Sequence, residues 1–426
     1  MASELADVLN QDCFCVTVNR ESLQASLAAH LRDAGLSERL LDVNSHLFSN
    51  SPVFLDHTQL EEMQQVIGAV EQVVQNAAYR DAALATAANC RDFGTKGVFV
   101  GYDFHLGADG PRLIEINTNA GGVLLNLYLA AAQQACCDEV SEFFGGQSKF
   151  TDVESGLIAM FRAEWLGQFP TRALQTIAIV DRDPQTQFLY PEFLLFQSLF
   201  ERHGIEAIIA DPRELSINDG ALWSGGRKID LVYNRLTDFY LESPESACLR
   251  DAYLGGMASI TPSPFTYALY GDKHNLTLFS DSNRLRGLGV NEAVIRILNR
   301  SLPETVTVSK DNASELWANR RQLFFKPATG HGSRGAYRGA KLTKRVWDEI
   351  NSNDYVAQAL VSPSERQLIV DGEKRLLKLD IRCVTYDGKI QQLSARLYRG
   401  QTTNLRTAGG GLATVFPTPD NSRFCR

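Results

Sequence analysis

The chain has 426 residues, 44% of them hydrophobic and 22% charged, with a net charge of −8 at neutral pH. That length holds roughly two to four domains, and the composition suits buried cores rather than disorder. The acidic balance excludes a general nucleic-acid binder, which needs a basic face. The charge is split along the chain: residues 1–150 carry 19 acids against 8 bases, whereas residues 366–426 carry 11 bases against 5 acids.

The opening MASELADVLNQDCFC is acidic and lacks the apolar core of a signal peptide. No stretch approaches about 18 uninterrupted apolar residues, so no transmembrane helix and no membrane partner are expected. Eight cysteines are too sparse for a disulfide scaffold, and none forms Cys-x-x-Cys. The expectation is reduced thiols in a cytoplasmic protein.

In chain order, residues 20–92 read as helical, with Leu60, Met63, Val66, Ile67, Val70, Val73 and Val74 at helical spacing. Residues 98–117 switch to two short strand-like runs around LGADG, and 123–144 return to helix. From about 170 the pattern alternates: a strand at 175–181, a helix at 190–204, a strand at 205–211 and a strand at 228–236. This alternation predicts an open, mostly parallel sheet over roughly 170–265. Further on come a strand at 322–328, a glycine-rich loop, a helix, a strand through DYVAQALV, and a hairpin turning at Asp387-Gly388.

Gly330-His331-Gly332-Ser333-Arg334-Gly335 spells G-x-G-x-x-G. A dinucleotide-binding turn would need a helix straight after it, and a P-loop would need Gly-Lys-Ser/Thr; neither is present. Read alone it is a surface loop. Lys326-Pro327 before it changes the reading, because a lysine closing a buried strand beside bare amides can grip a polyphosphate.

In GYDFHLGADGPRLIEINTNAGG, a three-residue loop at Ala108-Asp109-Gly110 would set Asp103 opposite Glu115, with Asn117 on the same face. Opposed like charges destabilise a hairpin. A Mg²⁺ ion reverses that, since it favours a few oxygen ligands plus phosphates. An edge hairpin with solvated acids is the plainer alternative. Glu115 inside the apolar run Leu-Ile-Glu-Ile speaks against it. His105 shares the face of Asp103 but reads as a surface histidine.

Together these residues resemble the ATP-grasp superfamily: apolar-Glu-x-Asn-Thr-x-x-Gly in LIEINTNAGG, strand-Lys-Pro-Gly/Ser loop in FFKPATGHGSRG, Asp380-Ile-Arg382, Arg396, and Asn404 ahead of Gly409-Gly410-Gly411. In most of that superfamily the Glu-x-Asn motif comes last, whereas here it precedes the glycine loop. The order resembles the circular permutation of eukaryotic-type glutathione synthetases.

The fold this implies is mixed α/β and α+β, a permuted ATP-grasp domain with an inserted Rossmann-like substrate module. Its parts would be residues 1–165 (helical region and metal hairpin), 166–268 (substrate module) and 269–426 (nucleotide-binding subdomains).

The function the resemblance implies is an ATP-dependent carboxylate–amine ligase working through an acyl phosphate on an amino acid or small peptide, with ATP and Mg²⁺ as cofactors. Asp103, Glu115 and Asn117 would hold the metal. Lys273, Lys326, Gly330, His331, Gly332, Ser333 and Gly335 would bind the phosphates. Gln358, Ala359 and Leu360 would form the adenine hinge, and Glu365 would take the ribose. Arg382 and Arg396 would be catalytic. Asn234, Arg235, Arg399 and Asn404 would hold substrate.

Duller readings stand beside these: Arg396 pairing with Asp380, Lys378 as a solvated strand end, Arg235 as a strand cap. The partners would be small molecules, with a homodimer left open. A phosphotransferase or acyl-activating enzyme on the same scaffold, or a silent ATP binder, are the alternatives.

Overall fold

The computed structural model describes residues 2–14, 16–30, 47–107, 109–135, 150–330 and 335–418. Helix α1 (Ala2–Asp12) opens the chain, and strand β1 (Val53–Leu55) precedes helix α2 (His57–Val74). The hairpin β2 (Val100–Gly107) and β3 (Gly110–Asn117) leads to helices α3 (Val123–Ala131) and α4 (Phe150–Gln168). Next come β4 (Thr176–Val180), α5 (Tyr190–Arg202), β5 (Glu206–Ala210), β6 (Leu231–Asn234) and β7 (Ser259–Thr261). The remainder holds β8 (Thr305–Thr307), β9 (Leu323–Pro327), β10 (Tyr337–Arg338), α6 (Lys344–Ser352), β11 (Tyr355–Ala359), β12 (Ser364–Val370), β13 (Glu373–Tyr386), β14 (Lys389–Tyr398) and β15 (Gly411–Pro417).

Three sheets carry the architecture. The largest runs β1-β15-β14-β13-β2-β3, with β12 paired to β13, so the early hairpin and the last strands share one sheet. A second has the order β8-β11-β9-β10. The third, β7-β6-β4-β5, has every neighbouring pair parallel, as the alternation in the sequence predicted. The strand expected at 228–236 is in fact two. A short antiparallel strand ends at Ile229 and β6 begins at Leu231. Between them Asp230 accepts from the Gln175 and Thr176 amides, which fixes the change of sheet.

The helical stretch expected at 20–92 divides around β1 and a turn-rich run after 84. Of the residues at helical spacing in α2, Met63, Val66, Ile67, Val70, Val73 and Val74 are buried and Leu60 is partly buried. Asp56 caps that helix, accepting from Thr58. The apolar stripe lies on the large sheet against Leu377, Leu379, Ile381, Ala395 and Leu397. Helix α3 stops at Ala131, short of the predicted 144, and residues 136–144 lie outside the described ones. The Asp387-Gly388 turn is found, with both residues at positive φ (47° and 71°), as a two-residue hairpin turn requires.

One pin joins α1 to the large sheet. Arg366 on β12 is fully buried and donates to the carbonyls of Asn10, Cys13 and Pro52. Burial pushes its guanidinium down to about 10. Its contacts are carbonyl dipoles and the Phe14 and Phe54 rings. Replacing it by methionine would strand those carbonyls, and Arg366→Met is expected to lower the free energy of unfolding by about 2–4 kcal/mol. Urea denaturation measures this, and a loss under about 0.5 kcal/mol would refute the pinning role.

Candidate functional site

The site is built as rungs across one face of the large sheet. In the first rung Glu115 stands opposite Asp103, Asp103 opposite Arg382, and Arg382 opposite Ser394. In the second, Asp380 stands opposite Arg396. In the third, Glu365, Lys378 and Tyr398 align. Strand alternation spaces the rungs by roughly 6.6 Å.

The hairpin reaches this register by a different route from the one expected. Gly107 pairs with Gly110, so the loop is shorter by one, and a bulge beyond Asp103 restores Asp103 to Glu115. The extra residue is Ile114. Its carbonyl leaves the ladder and accepts from Lys326 Nζ at 2.8 Å. Gly101, opposite Asn117, leaves the space over which the Arg382 side chain lies, 3.4 Å from where a Cβ would stand.

Asp103 is 1% exposed and its two oxygens carry four donors. Arg382 grips it through Nε and Nη2 at 2.6 and 2.7 Å, Arg396 Nη2 adds 2.8 Å, and Asn117 Nδ2 adds 3.0 Å. Burial pushes this carboxyl up, but the two arginines outweigh it and hold it below the usual carboxylate range. Arg396 also donates from Nε to Asp380 Oδ1 at 2.7 Å, the pairing that was the duller reading of the sequence. Asp380, 0% exposed, accepts from Thr403 Oγ1 at 2.5 Å on its other oxygen.

For a divalent cation this donor set divides. The Asp103 oxygens are unequally used, three donors on Oδ2 and the Arg382 Nε alone on Oδ1, so a metal held by Asp103 would share Oδ1 with Arg382. The like-charge conflict of the hairpin is relieved by arginines on one acid and Lys273, 3.3 Å from Glu115 Oε1, on the other. Burial pushes the Glu115 carboxyl up, and Lys273 and Lys326 more than offset it, so it stays ionised. Asn117 turns its nitrogen to Asp103, which leaves its oxygen. Mg²⁺ needs only one or two protein oxygens beside phosphates and water, so Glu115 and Asn117 fit it. Among the described residues no group of three or more His, Cys, Asp or Glu is arranged to hold a metal.

The facing wall of the cavity comes from the second sheet. Lys326, 8% exposed, also donates to Gln358 Oε1 at 2.9 Å. Lys273 Nζ donates to the Gly330 carbonyl at 2.7 Å, tying it to the start of the glycine loop. It follows a π-helical turn, Tyr267–Gly271, where a Cβ on Gly271 would strike the Tyr267 ring at 2.6 Å. His331, Gly332 and Ser333 lie outside the described residues; Gly330 and Gly335 flank them, the latter at φ +68°.

Gln358, Ala359 and Leu360 line the cavity. The amides of Ala359 and Leu360 already donate to Glu304 and Gln322 carbonyls, and the Gln358 side chain is held by Lys326 and Thr305. A base there would meet the neighbouring groups rather than those N–H donors. Glu365 is exposed, opposite Lys378, and is not among the residues that line the cavity.

The proposed substrate residues are more committed. Asn234 donates to Pro262 and accepts from Leu236. Arg235, 7% exposed, donates to the Asn119 carbonyl, while its Nε is buried without a partner. Asn404 braces its own loop through Arg399, Thr402, Arg406 and Thr407. Arg399 is exposed.

Sequence reasoning misplaced His105 and Lys378. His105 lines the cavity and bonds the Val361 carbonyl through Nδ1. Lys378 lines it too, donating to Gly400. Arg338 and Thr403, also on the wall, were missed. Thr403 lies in an aperiodic loop and had no signal. Tyr398 was findable by period two from Arg396.

No protein-family model matches the sequence, and no curated protein matches it. Among solved structures, the apo form of a glutathione synthetase-like effector (GSS30) from Globodera pallida aligns with a TM-score of 0.54 at 11% identity, covering 92% of this chain and 99% of that one. That likeness shows a shared fold. A putative gamma-glutamylcysteine synthetase from Methylobacillus flagellatus KT aligns at TM-score 0.46 and 8% identity over 82% of this chain and 87% of that one, too weakly to carry an argument. The mixed α/β architecture is consistent with an ATP-grasp-like fold. Among the described residues no helix is long and apolar enough to cross a membrane.

The cavity makes a pH prediction. Burial pushes the Lys326 ammonium down to about 8, with Glu115 opposing the shift. Below that pH Lys326 is charged and attracts anions, and above it the charge is lost. Affinity for inorganic tripolyphosphate is therefore expected to fall as pH rises through about 8, and Lys326→Arg should flatten the profile because arginine stays charged. Calorimetric titration across pH 6.5–9.5 checks this (a range set by about 1.5 units either side). A flat wild-type profile would remove Lys326 from the anion site.

Proposed function

We propose that this protein is an ATP-dependent carboxylate–amine ligase that forms an amide through an acyl phosphate, on an amino acid or small peptide. The observation that carries this reading is the pairing of two walls. Lys273 and Lys326 stand beside the glycine loop, facing a sheet face on which Glu115 and Asn117 lie near Arg382 and Arg396, the two arginines that grip Asp103. One wall suits a triphosphate, and the other suits the charge that develops on phosphoryl transfer.

In this reading Lys273 and Lys326 hold the phosphates, and the strand-end position of Lys326 fixes its reach. Glu115 and Asn117 hold Mg²⁺, which supplies Lewis-acid neutralisation of phosphate oxygens when bound. Asp103 serves as the anchor that presents Arg382 and Arg396 as a rigid pair. Each guanidinium has five N–H donors and spends two on the carboxylates, so each keeps donors for substrate. A substrate carboxylate attacks the γ-phosphoryl and ADP leaves. An amine then attacks the acyl carbon, and phosphate departs with the C–O bond pair. The guanidiniums stabilise the oxyanions in both steps. The parallel sheet, whose β6 ends at Asn234 with Arg235 next in the chain, is assigned to substrate, as is the 399–410 loop.

The test is ADP release from Mg²⁺-ATP over a panel of amino acid and dipeptide pairs. Release is expected to need carboxylate and amine together. Glu115→Gln should cut turnover by on the order of 10²–10³ while leaving the fold intact. Turnover without any amine would point to a phosphotransferase, and full activity in Glu115→Gln would remove it from the metal site.

A further inference from the structure

The rungs of the site are joined by a contact that none of the functional expectations includes. Asp380 is fully buried, and each of its oxygens has one side-chain donor: Arg396 Nε on Oδ1 and Thr403 Oγ1 on Oδ2. Thr403 belongs to the segment after β14, which lines the cavity through Gln401, Thr402 and Thr403. The Thr403 hydroxyl also meets Tyr398, on the third rung. The relay thus runs from the cavity-lining loop through Thr403, Asp380 and Arg396 to Asp103 and Arg382, all by hydrogen bonds of 2.5–2.8 Å.

A buried carboxylate with one donor on each oxygen is held in a single plane. Removing one donor lets it turn about its Cβ–Cγ bond, and the other donor follows. Arg396 is the guanidinium shared between Asp380 and Asp103, so a turn at Asp380 tilts the plane that Arg396 presents to the cavity. The segment itself is braced from within by Asn404, which bonds Arg399, Thr402, Arg406 and Thr407 and so ties its turns to one another. It is seated on the sheet by Thr403 on Asp380, by Lys378 on the Gly400 carbonyl and by Ser49 on the Gly409 carbonyl, and of these Thr403 reaches the carboxylate that holds Arg396.

We propose that Thr403 is a positioning residue: through Asp380 it sets the orientation of Arg396, so that the seating of the 399–410 loop over the cavity is coupled to the alignment of the catalytic arginines. The inference rests on the ligase reading above, with Arg396 acting on the transferring group. Its consequence is that a loop displaced from the cavity leaves Arg396 misaligned, which suppresses phosphoryl transfer when the cavity is not closed.

The test uses the full-length chain with Thr403→Val, which keeps the shape and removes the hydroxyl, and Thr403→Ser, which keeps the hydroxyl. Thr403→Val is expected to lower kcat by about 10–100-fold with the Kd for Mg²⁺-ATP changed by less than about twofold, and Thr403→Ser to restore most of the rate. The ¹⁵N-edited Nε–H resonance of Arg396, assigned against Arg396→Lys, is expected to shift in Thr403→Val and return in Thr403→Ser. An unchanged kcat and resonance in Thr403→Val would overturn the proposal. So would a joint loss of kcat and ATP affinity, since the hydroxyl would then be holding the cavity as a whole. If the wild type turns over no substrate pair, the ligase reading fails and the resonance decides alone: a shift in Thr403→Val that Thr403→Ser reverses upholds the coupling, and no shift overturns it.

Discussion

A single buried carboxylate organises this molecule. Asp103 is out of contact with water and takes donors from Arg382, Arg396 and Asn117. Desolvating one carboxylate and two guanidiniums is expensive, and the arrangement stands because the carboxylate takes four charge-matched or amide donors while each guanidinium is bonded through two of its own. The cost is met by geometry rather than by area: three strands, β2, β13 and β14, must lie in one register for the bonds to form at all. That demand fixes the sheet, and the sheet in turn fixes where Glu115, Asn117 and the facing lysines stand.

The same arrangement explains why opposed acids are tolerated on a hairpin. Glu115 and Asp103 would repel in isolation. Each has its own cationic company, lysine for one and arginine for the other, so the repulsion is absorbed before any metal arrives. What remains for a cation is a mixed carboxylate and amide pair, a ligand set that expects phosphate oxygens to complete it. Lys326 bonded to the bulged Ile114 carbonyl couples the two walls directly, so a bond within the protein ties their spacing.

Much of this was legible in the sequence, for definite reasons. Helix α2 and strands β4 and β5 follow from apolar period alone, and the Asp387-Gly388 turn from residues that accept positive φ. The opposition of Asp103 and Glu115 was read correctly through a wrong loop, because a shorter turn and a bulge cancel in register. The arginine partners of Asp103 were not legible because a sequence shows charge but not which charges touch; Arg382 lies 279 positions away. His105 and Lys378 looked like surface residues because a polar side chain alternating with apolar ones in a strand reads as solvent-facing, yet both line the cavity that the second sheet helps to wall. Thr403 had no period to betray it.

The hairpin of β2 and β3 has a consequence for how the chain is made. Its outer neighbour in the sheet is β13, so the first half of the site is synthesised long before its partner strand exists. At roughly 5–20 residues per second, the gap of 279 positions between Asp103 and Arg382 corresponds to tens of seconds on a ribosome. For that interval β2 presents an unpaired edge and Asp103 an uncompensated charge. The charge keeps that edge hydrated and discourages edge-to-edge association while it waits. Asp103, 1% exposed in the finished sheet, would during synthesis be a charge on an open edge, where it disfavours association.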